Sequence, residues 1–231
     1  MPLPTHPENR GKTMTKNLQQ PHAGSLEPSQ LIPAGKIIVL NGFPGTGKLT
    51  ILKHLKELLL AETSCLLDNH LLIDPVAAVI PDRSDRHHEL RRLVRAPIFE
   101  ELGNRAREGH IILMTACLAA QNERDAAFFQ EHLDIARKGD VPIYWINVHC
   151  DFVTLQKRAT DPERQQGGKT KLTDIHVLQS IVEEHRLIEP FSTKYDETRL
   201  VFKKMNVSGS VESSVNRLLG IIGCGQYPEE I

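Results

Sequence analysis

The chain has 231 residues, with 28 Lys plus Arg against 29 Asp plus Glu and a formal net charge of -1. That length suits one α/β domain of ordinary size with a small appended lid, and the balanced charge gives no bulk electrostatic case for a nucleic-acid or membrane-surface partner, leaving only a local basic patch open. No apolar run approaches the ~20 residues needed to span a bilayer. The four cysteines, Cys65, Cys117, Cys150 and Cys224, stand far apart without metal-ligand spacing, as expected of reduced, buried thiols in an intracellular, cytoplasmic protein.

Residues 1 to about 30 are rich in Pro, Gln, His, Ser and Thr and poor in apolar side chains. Residues 1–33 are expected to form a disordered tail, ahead of a single domain over residues 34–231. Residues 36–40 form an apolar run rich in Ile and Val, the composition of a strand buried on both faces of a parallel sheet. The run ends in Gly42-Phe43-Pro44-Gly45-Thr46-Gly47-Lys48-Leu49-Thr50. Its glycines let backbone N–H groups converge on phosphate oxygens, the following helix aims its positive N-terminus at the same anion, and Lys48 supplies a mobile charge for the outer phosphates. In the usual pattern, G-x-x-x-x-G-K-[ST], the residue after the lysine is a hydroxyl that ligates Mg²⁺. Here that position is Leu49 and the hydroxyl comes one later, at Thr50.

After a helix with Ile51, Leu55 and Leu58 on one face, residues 64–67 form a second strand that ends in Asp68-Asn69-His70. In an open parallel sheet the ligand crevice lies beyond the carboxyl ends of the strands, which brings this triplet near the phosphate loop. Asp68 reads either as a functional acid or as a cap of the next turn, while Asp74 reads as part of a turn with Pro75. Residues 84–107 form a charged helix, with Pro97 as an expected break or kink and Leu90, Val94, Ile98 and Leu102 as its inward face. Arg91 and Arg95 share another face, suited to an anion or simply to solvent. His87 and His88 point apart and have no evident third ligand, so no metal site is expected from them.

Residues 111–114 are the third strand, ended by Thr115-Ala116-Cys117, and residues 121–138 a helix closed by Gly139. Residues 141–148 are the fourth strand, which carries Tyr144 and Trp145 as core residues. A helix from about Asp151 is broken at Asp161-Pro162, and a loop then leads to Thr173 as the cap of the next helix. Residues 200–205 read as an edge strand because of Lys203 and Lys204, and residues 211–222 as the last helix. This alternation implies an α/β fold of three layers: a parallel five-stranded sheet with helices on both faces.

The stretch G-x-P-G-x-G-K-x-T resembles the loop of adenylate kinase and its nucleoside-monophosphate kinase relatives, within the P-loop NTPase fold. The layout also resembles gluconate and shikimate kinases: Asp68-Asn69-His70 is similar to the acidic-His segment of gluconate kinase, and Thr115-Ala116-Cys117-Leu118 to its polar turn after the third strand. The resemblance implies an ATP-dependent phosphotransferase in which residues 42–50 hold the nucleotide and Mg²⁺ is the cofactor. Lys48 and Arg158 would act on the phosphates, Thr50 and Asp68 would serve the metal, and Asp68 would alternatively serve as base. Arg158 and Arg164, with Gly167-Gly168-Lys169 beyond them, resemble a kinase lid, which places a lid at about residues 158–173. Asp68, His70, Arg91 and Arg95 would face the acceptor. A hydroxyl acceptor calls for Asp68 as base, and a nucleoside monophosphate for Arg91 and Arg95; the resemblance tips the balance to a hydroxyl. Two rival readings stay open: an NTP hydrolase, against which the missing acid at Thr115 counts, and a nucleotide-binding switch or scaffold without phosphotransfer, which the same missing acid supports. Phosphorylation of a polynucleotide end finds no support in the charge.

Overall fold

The computed structural model describes residues 35–59, 61–161, 174–190 and 198–224. The expected tail, Arg164, the Gly167-Gly168-Lys169 tip, Thr173 and most of the expected lid lie outside these residues. Five strands form one parallel sheet: β1 (Lys36–Asn41), β2 (Ser64–Leu67), β3 (Ile111–Ala116), β4 (Ile143–His149) and β5 (Leu200–Asn206), in the order β2-β3-β1-β4-β5. The connecting helices are α1 (Lys48–Leu58), α2 (His70–Val79), α3 (Asp85–Arg107), α4 (Glu123–Gly139), α5 (Phe152–Ala159), α6 (Ile175–Glu184) and α7 (Val211–Ile221).

The strand period of two divides the core. Ile37 and Val39 face one side and join Leu72 of α2, Phe99 and Leu102 of α3, and Phe128 and Leu133 of α4. Ile38 and Leu40 face the other and pack on Ile51, Leu52 and Leu55 of α1 and on Val215 and Leu218 of α7. Burial of each such side chain contributes roughly 1.5–3 kcal/mol, so the two faces together fix the sheet between its helical layers. β1 lies between β3 and β4, which makes its carboxyl end the point where the connections diverge and a ligand crevice opens.

Two buried amides tie that point together. Asn41 and Asn147 end the apolar runs of β1 and β4 in register, and Asn41 Nδ2 donates to Asn147 Oδ1 at 3.0 Å. Asn41 Oδ1 accepts from the Leu118 N–H at 2.8 Å, while Asn147 Nδ2 donates to the Ile188 carbonyl at 3.0 Å. The loop after β3 and the segment after α6 are thereby pinned over the sheet.

Several expectations from the sequence are corrected. Pro97 does not break α3, which runs on through it; the proline is exposed. The buried stripe of α3 is His87, Arg95, Phe99, Leu102 and Ala106 rather than one through Leu90 and Val94, because an ion pair on α4 brings Arg95 inward. Asp74 and Pro75 sit inside α2 instead of forming a turn. The left-handed residue that ends α4 is Asp140, with φ 50, and Gly139 is still helical. Asp174 caps α6 through its carboxylate, in the place expected of Thr173. Cys65, Cys117 and Cys150 are half-buried and Cys224 is exposed, so Cys224 departs from the expected burial. Tyr144 and Trp145 sit within the sheet; Trp145 is fully buried and packs edge-on against Phe129 at 4.6 Å between centroids.

Candidate active site

The phosphate loop is built by backbone constraint. Gly45 and Gly47 adopt φ values of 91 and 82, which only glycine reaches without strain, and a Cβ on Gly45 would also press into Leu155 Cδ1 at 2.9 Å. Thr46 is buried and donates its hydroxyl to the Phe43 carbonyl at 2.8 Å. Lys48 Nζ folds over the loop and donates to the carbonyls of Gly42 at 2.5 Å and Phe43 at 3.0 Å. Five helices have a side-chain cap, from Ser84, Asn122, Asp151, Asp174 and Ser210. Among the described helices α1 and α2 have none and no acidic residue in the first turn, and at α1 the leading amides follow the glycine loop and suit an anion.

A cavity of about 950 Å³ opens from this loop across the carboxyl edge of the sheet. Pro44, Gly45, Gly47, Lys48, Leu49 and Thr50 line one end; Asp68, His70, Arg91 and Arg95 line the rest. The structure therefore brings the expected loop and the expected acceptor residues to one space. Gly42 and Thr46 belong to the loop's interior, and Phe43 faces the neighbouring cavity of about 570 Å³ with Cys117, Asp125 and His185. Burial pushes the Cys117 thiol pKa up, against the pull of Lys48. Arg158 does not line the larger cavity. It packs behind the loop, its guanidinium donating to the carbonyls of Thr46 at 3.4 Å and Gly209 at 3.1 Å.

Asp68 is 6 % exposed at the end of β2 and accepts the Thr115 hydroxyl proton at 3.0 Å. Its carboxylate also receives the His70 N–H at 3.4 Å, so the capping alternative holds in part. His70 Nδ1 stands 3.5 Å from Asp74 on the next turn. The two arginines separate sharply. Arg95 is buried, paired with both Glu131 oxygens at 2.5 and 2.6 Å and stacked 4.1 Å above the Phe128 ring. Arg91 lines the cavity with no side-chain partner on its buried Nε. Desolvation, joined by the positive charges of Arg95 and Arg83, lowers its pKa to about 10, which makes it a cation that gains by meeting an anion. The mouth of the cavity is positive: burial, then Arg124 and Arg91, pushes the His88 pKa down.

Sequence reasoning missed Arg124, Asp125 and Glu131, all on α4 and all lining this cavity. Arg124 pairs with Asp85 across the mouth. Asp125 accepts the Ala119 N–H at 2.8 Å, and burial raises its pKa against the opposing effects of that bond and of Arg91. The available signal was position: α4 starts right after the third strand's loop, at the same edge of the sheet as Asp68.

No helix among the described residues is long and apolar enough to cross a membrane, and no group of three or more His, Cys, Asp or Glu among them could hold a metal ion by itself.

Comparison with known proteins agrees with this architecture. A family model described as an AAA domain matches residues 38–179, from β1 into α6. A putative kinase from Chloroflexus aurantiacus J-10-fl superposes with a TM-score of 0.54 at 11% identity, covering 84% of this chain and 99% of its own. Shikimate kinase from Acinetobacter baumannii, solved with shikimate, gives 0.50 at 15% identity over 87% of this chain and 100% of its own. A gluconokinase from Sinorhizobium meliloti 1021 gives 0.47 at 16% identity, over 83% and 93%. For the first two, with TM-scores of 0.54 and 0.50, the likeness at such identities is one of fold. No curated protein sequence matches the chain significantly. With a phosphate loop between β1 and α1, a β2-β3-β1-β4-β5 parallel sheet and a family match over most of its length, the chain belongs to the AAA domain family of nucleotide-binding P-loop proteins.

Proposed function

We propose that the protein is a kinase that transfers the γ-phosphoryl group of ATP to a hydroxyl of a small anionic acceptor. The observation that carries this reading is the single cavity shared by the phosphate loop, the Asp68 carboxylate and the Arg91 guanidinium. The loop amides and Lys48 hold the phosphates, and Arg158 and Arg164 serve the nucleotide side. Asp68 accepts the proton of the acceptor hydroxyl as its oxygen bonds to the γ-phosphorus and the bond to the ADP oxygen breaks. His70 and Arg91 position the acceptor, with its anionic group on Arg91. Arg95 is already neutralised by Glu131, which leaves Arg91 as the guanidinium of that helical face that meets the acceptor's anionic group.

The donor set fits Mg²⁺: a hydroxyl at Thr50 and a carboxylate at Asp68 line the same cavity, and this ion is commonly held by one or two such oxygens together with waters and phosphates. When bound it neutralises charge on the moving phosphoryl group. The site is proposed to act in the cytoplasm on small molecules, without nucleic acid or membrane. Hydrolysis alone, or a switch without turnover, is the rival reading. The test is ADP release from Mg-ATP with mass detection of products across sugars, sugar acids, other hydroxy acids and nucleoside monophosphates. One acceptor should gain a phosphate and accelerate ADP release, and Lys48→Ala should lower kcat by about a hundredfold or more. ATP binding without any phosphorylated acceptor would leave the switch in its place.

A further inference from the structure

Many P-loop proteins end the third strand with a carboxylate, whereas β3 here carries Thr115 one residue before its end. The hydroxyl is engaged in a specific way. Leu67 and Met114 are register partners on the parallel strands β2 and β3, so the next residues, Asp68 and Thr115, emerge side by side. Thr115 Oγ1 accepts the Asn69 N–H at 2.9 Å and donates to Asp68 Oδ1 at 3.0 Å. A hydroxyl has one proton. Because a backbone N–H can only donate, the Asn69 amide takes a lone pair of the hydroxyl oxygen and directs that proton to the carboxylate. Both Asp68 and Thr115 are 6 % exposed, which leaves water little room to substitute for the bond.

We propose that Thr115 is a positioning residue: its hydroxyl clasps the end of β2 and holds the Asp68 carboxylate in one orientation toward the cavity. The second strand thereby supplies the acid that the third strand lacks, and the hydroxyl of the third strand aims it. This rests on the kinase reading above, in which Asp68 meets the acceptor hydroxyl. It accounts for a threonine, with a donor and an acceptor on one atom, where a carboxylate would repel Asp68.

The experiment compares Thr115→Val, which keeps shape and removes the hydroxyl, with Thr115→Ser, which keeps the hydroxyl, using the acceptor identified by the product panel. Thr115→Val should lower kcat by about 10- to 100-fold, with the KM for ATP unchanged, and Thr115→Ser should restore most of it. In an Asp68→Asn background Thr115→Val should cost no further activity, because the group it aims is already gone. Exchange of the Asn69 amide hydrogen should quicken in Thr115→Val and stay slow in Thr115→Ser. A merely structural threonine would multiply its effect on that of Asp68→Asn; that outcome, or wild-type kcat in Thr115→Val, overturns the inference and leaves the kinase reading standing. If wild-type protein phosphorylates no acceptor, the kinase reading falls and the positioning role falls with it, whatever the amide exchange shows.

Discussion

Arg91 and Arg95 show what a single side chain can hide. From the sequence they are a matched pair on one helical face, and nothing in the spacing tells them apart. The difference comes from Glu131 and Phe128, more than thirty residues later on α4. Their approach to α3 is a tertiary event that helical periodicity cannot encode. Arg95→Ala should strand a half-buried Glu131 carboxylate and remove the stacked cation, at a cost of about 2–4 kcal/mol. In a domain of this size that lowers Tm by roughly 4–16 °C. Arg91→Ala removes a desolvated charge that has no partner on its Nε, so Tm should stay close to wild type while the acceptor KM rises about tenfold or more at unchanged ATP KM. Thermal melts beside acceptor titrations separate the two. A rise in acceptor KM for Arg95→Ala at wild-type Tm would return Arg95 to the acceptor site. The phosphate-loop residues were legible because glycine geometry and the lysine act locally; the Thr115–Asp68 bond was not, because it joins residues 47 apart.

At the scale of elements, strands were the most readable. Short Ile- and Val-rich runs have one stable use in a parallel sheet, and the edge position of β5 followed from Lys203 and Lys204, both exposed. The strand ends came out longer than expected, since Asn41, Thr115 and Asn206 are polar yet keep the ladder. The long helix was less readable. A proline lacks the N–H for the helical bond and crowds the carbonyl four residues earlier, so the sequence alone points to a break. α3 instead stays continuous from Asp85 to Arg107, because its C-terminal half is anchored in the core by Phe99, Leu102 and Ala106 and its N-terminal half is capped by Ser84, whose side chain accepts the His87 N–H. Packing offsets the local penalty. Pro97→Ala should therefore stabilise the protein by about 1–3 kcal/mol, read as a higher urea midpoint at unchanged slope. A lower midpoint would mean that the proline sets the direction in which Arg91 and Arg95 are carried over the cavity.

For the whole molecule, the alternation of strands and helices made a parallel three-layer fold legible, and the carboxyl edge of the sheet followed as the site. The joint between layers was not legible. His132 sits there, 1 % exposed, at 5.2 Å from Phe99, 4.7 Å from Phe128 and 5.5 Å from Trp145 between ring centroids. Its Nδ1 lies 2.8 Å from the Phe128 carbonyl, which can only accept, so this nitrogen carries the proton of the neutral ring. Burial, reinforced by the charge of Arg95, lowers its pKa from 6.5 to about 4. Below 6.5 the unfolded chain takes up a proton here that the folded chain refuses, so this contribution to stability is complete above that value and declines as pH falls toward 4. Across that window the loss is on the order of 3 kcal/mol, which would show as a falling urea midpoint between neutral pH and pH 5. His132→Phe suits the aromatic surroundings and cannot titrate, so its midpoint should change much less over the same range and exceed the wild type's at pH 5. If the variant falls as steeply as wild type, the acid sensitivity of the layer joint belongs to other groups and His132 is only a packed ring.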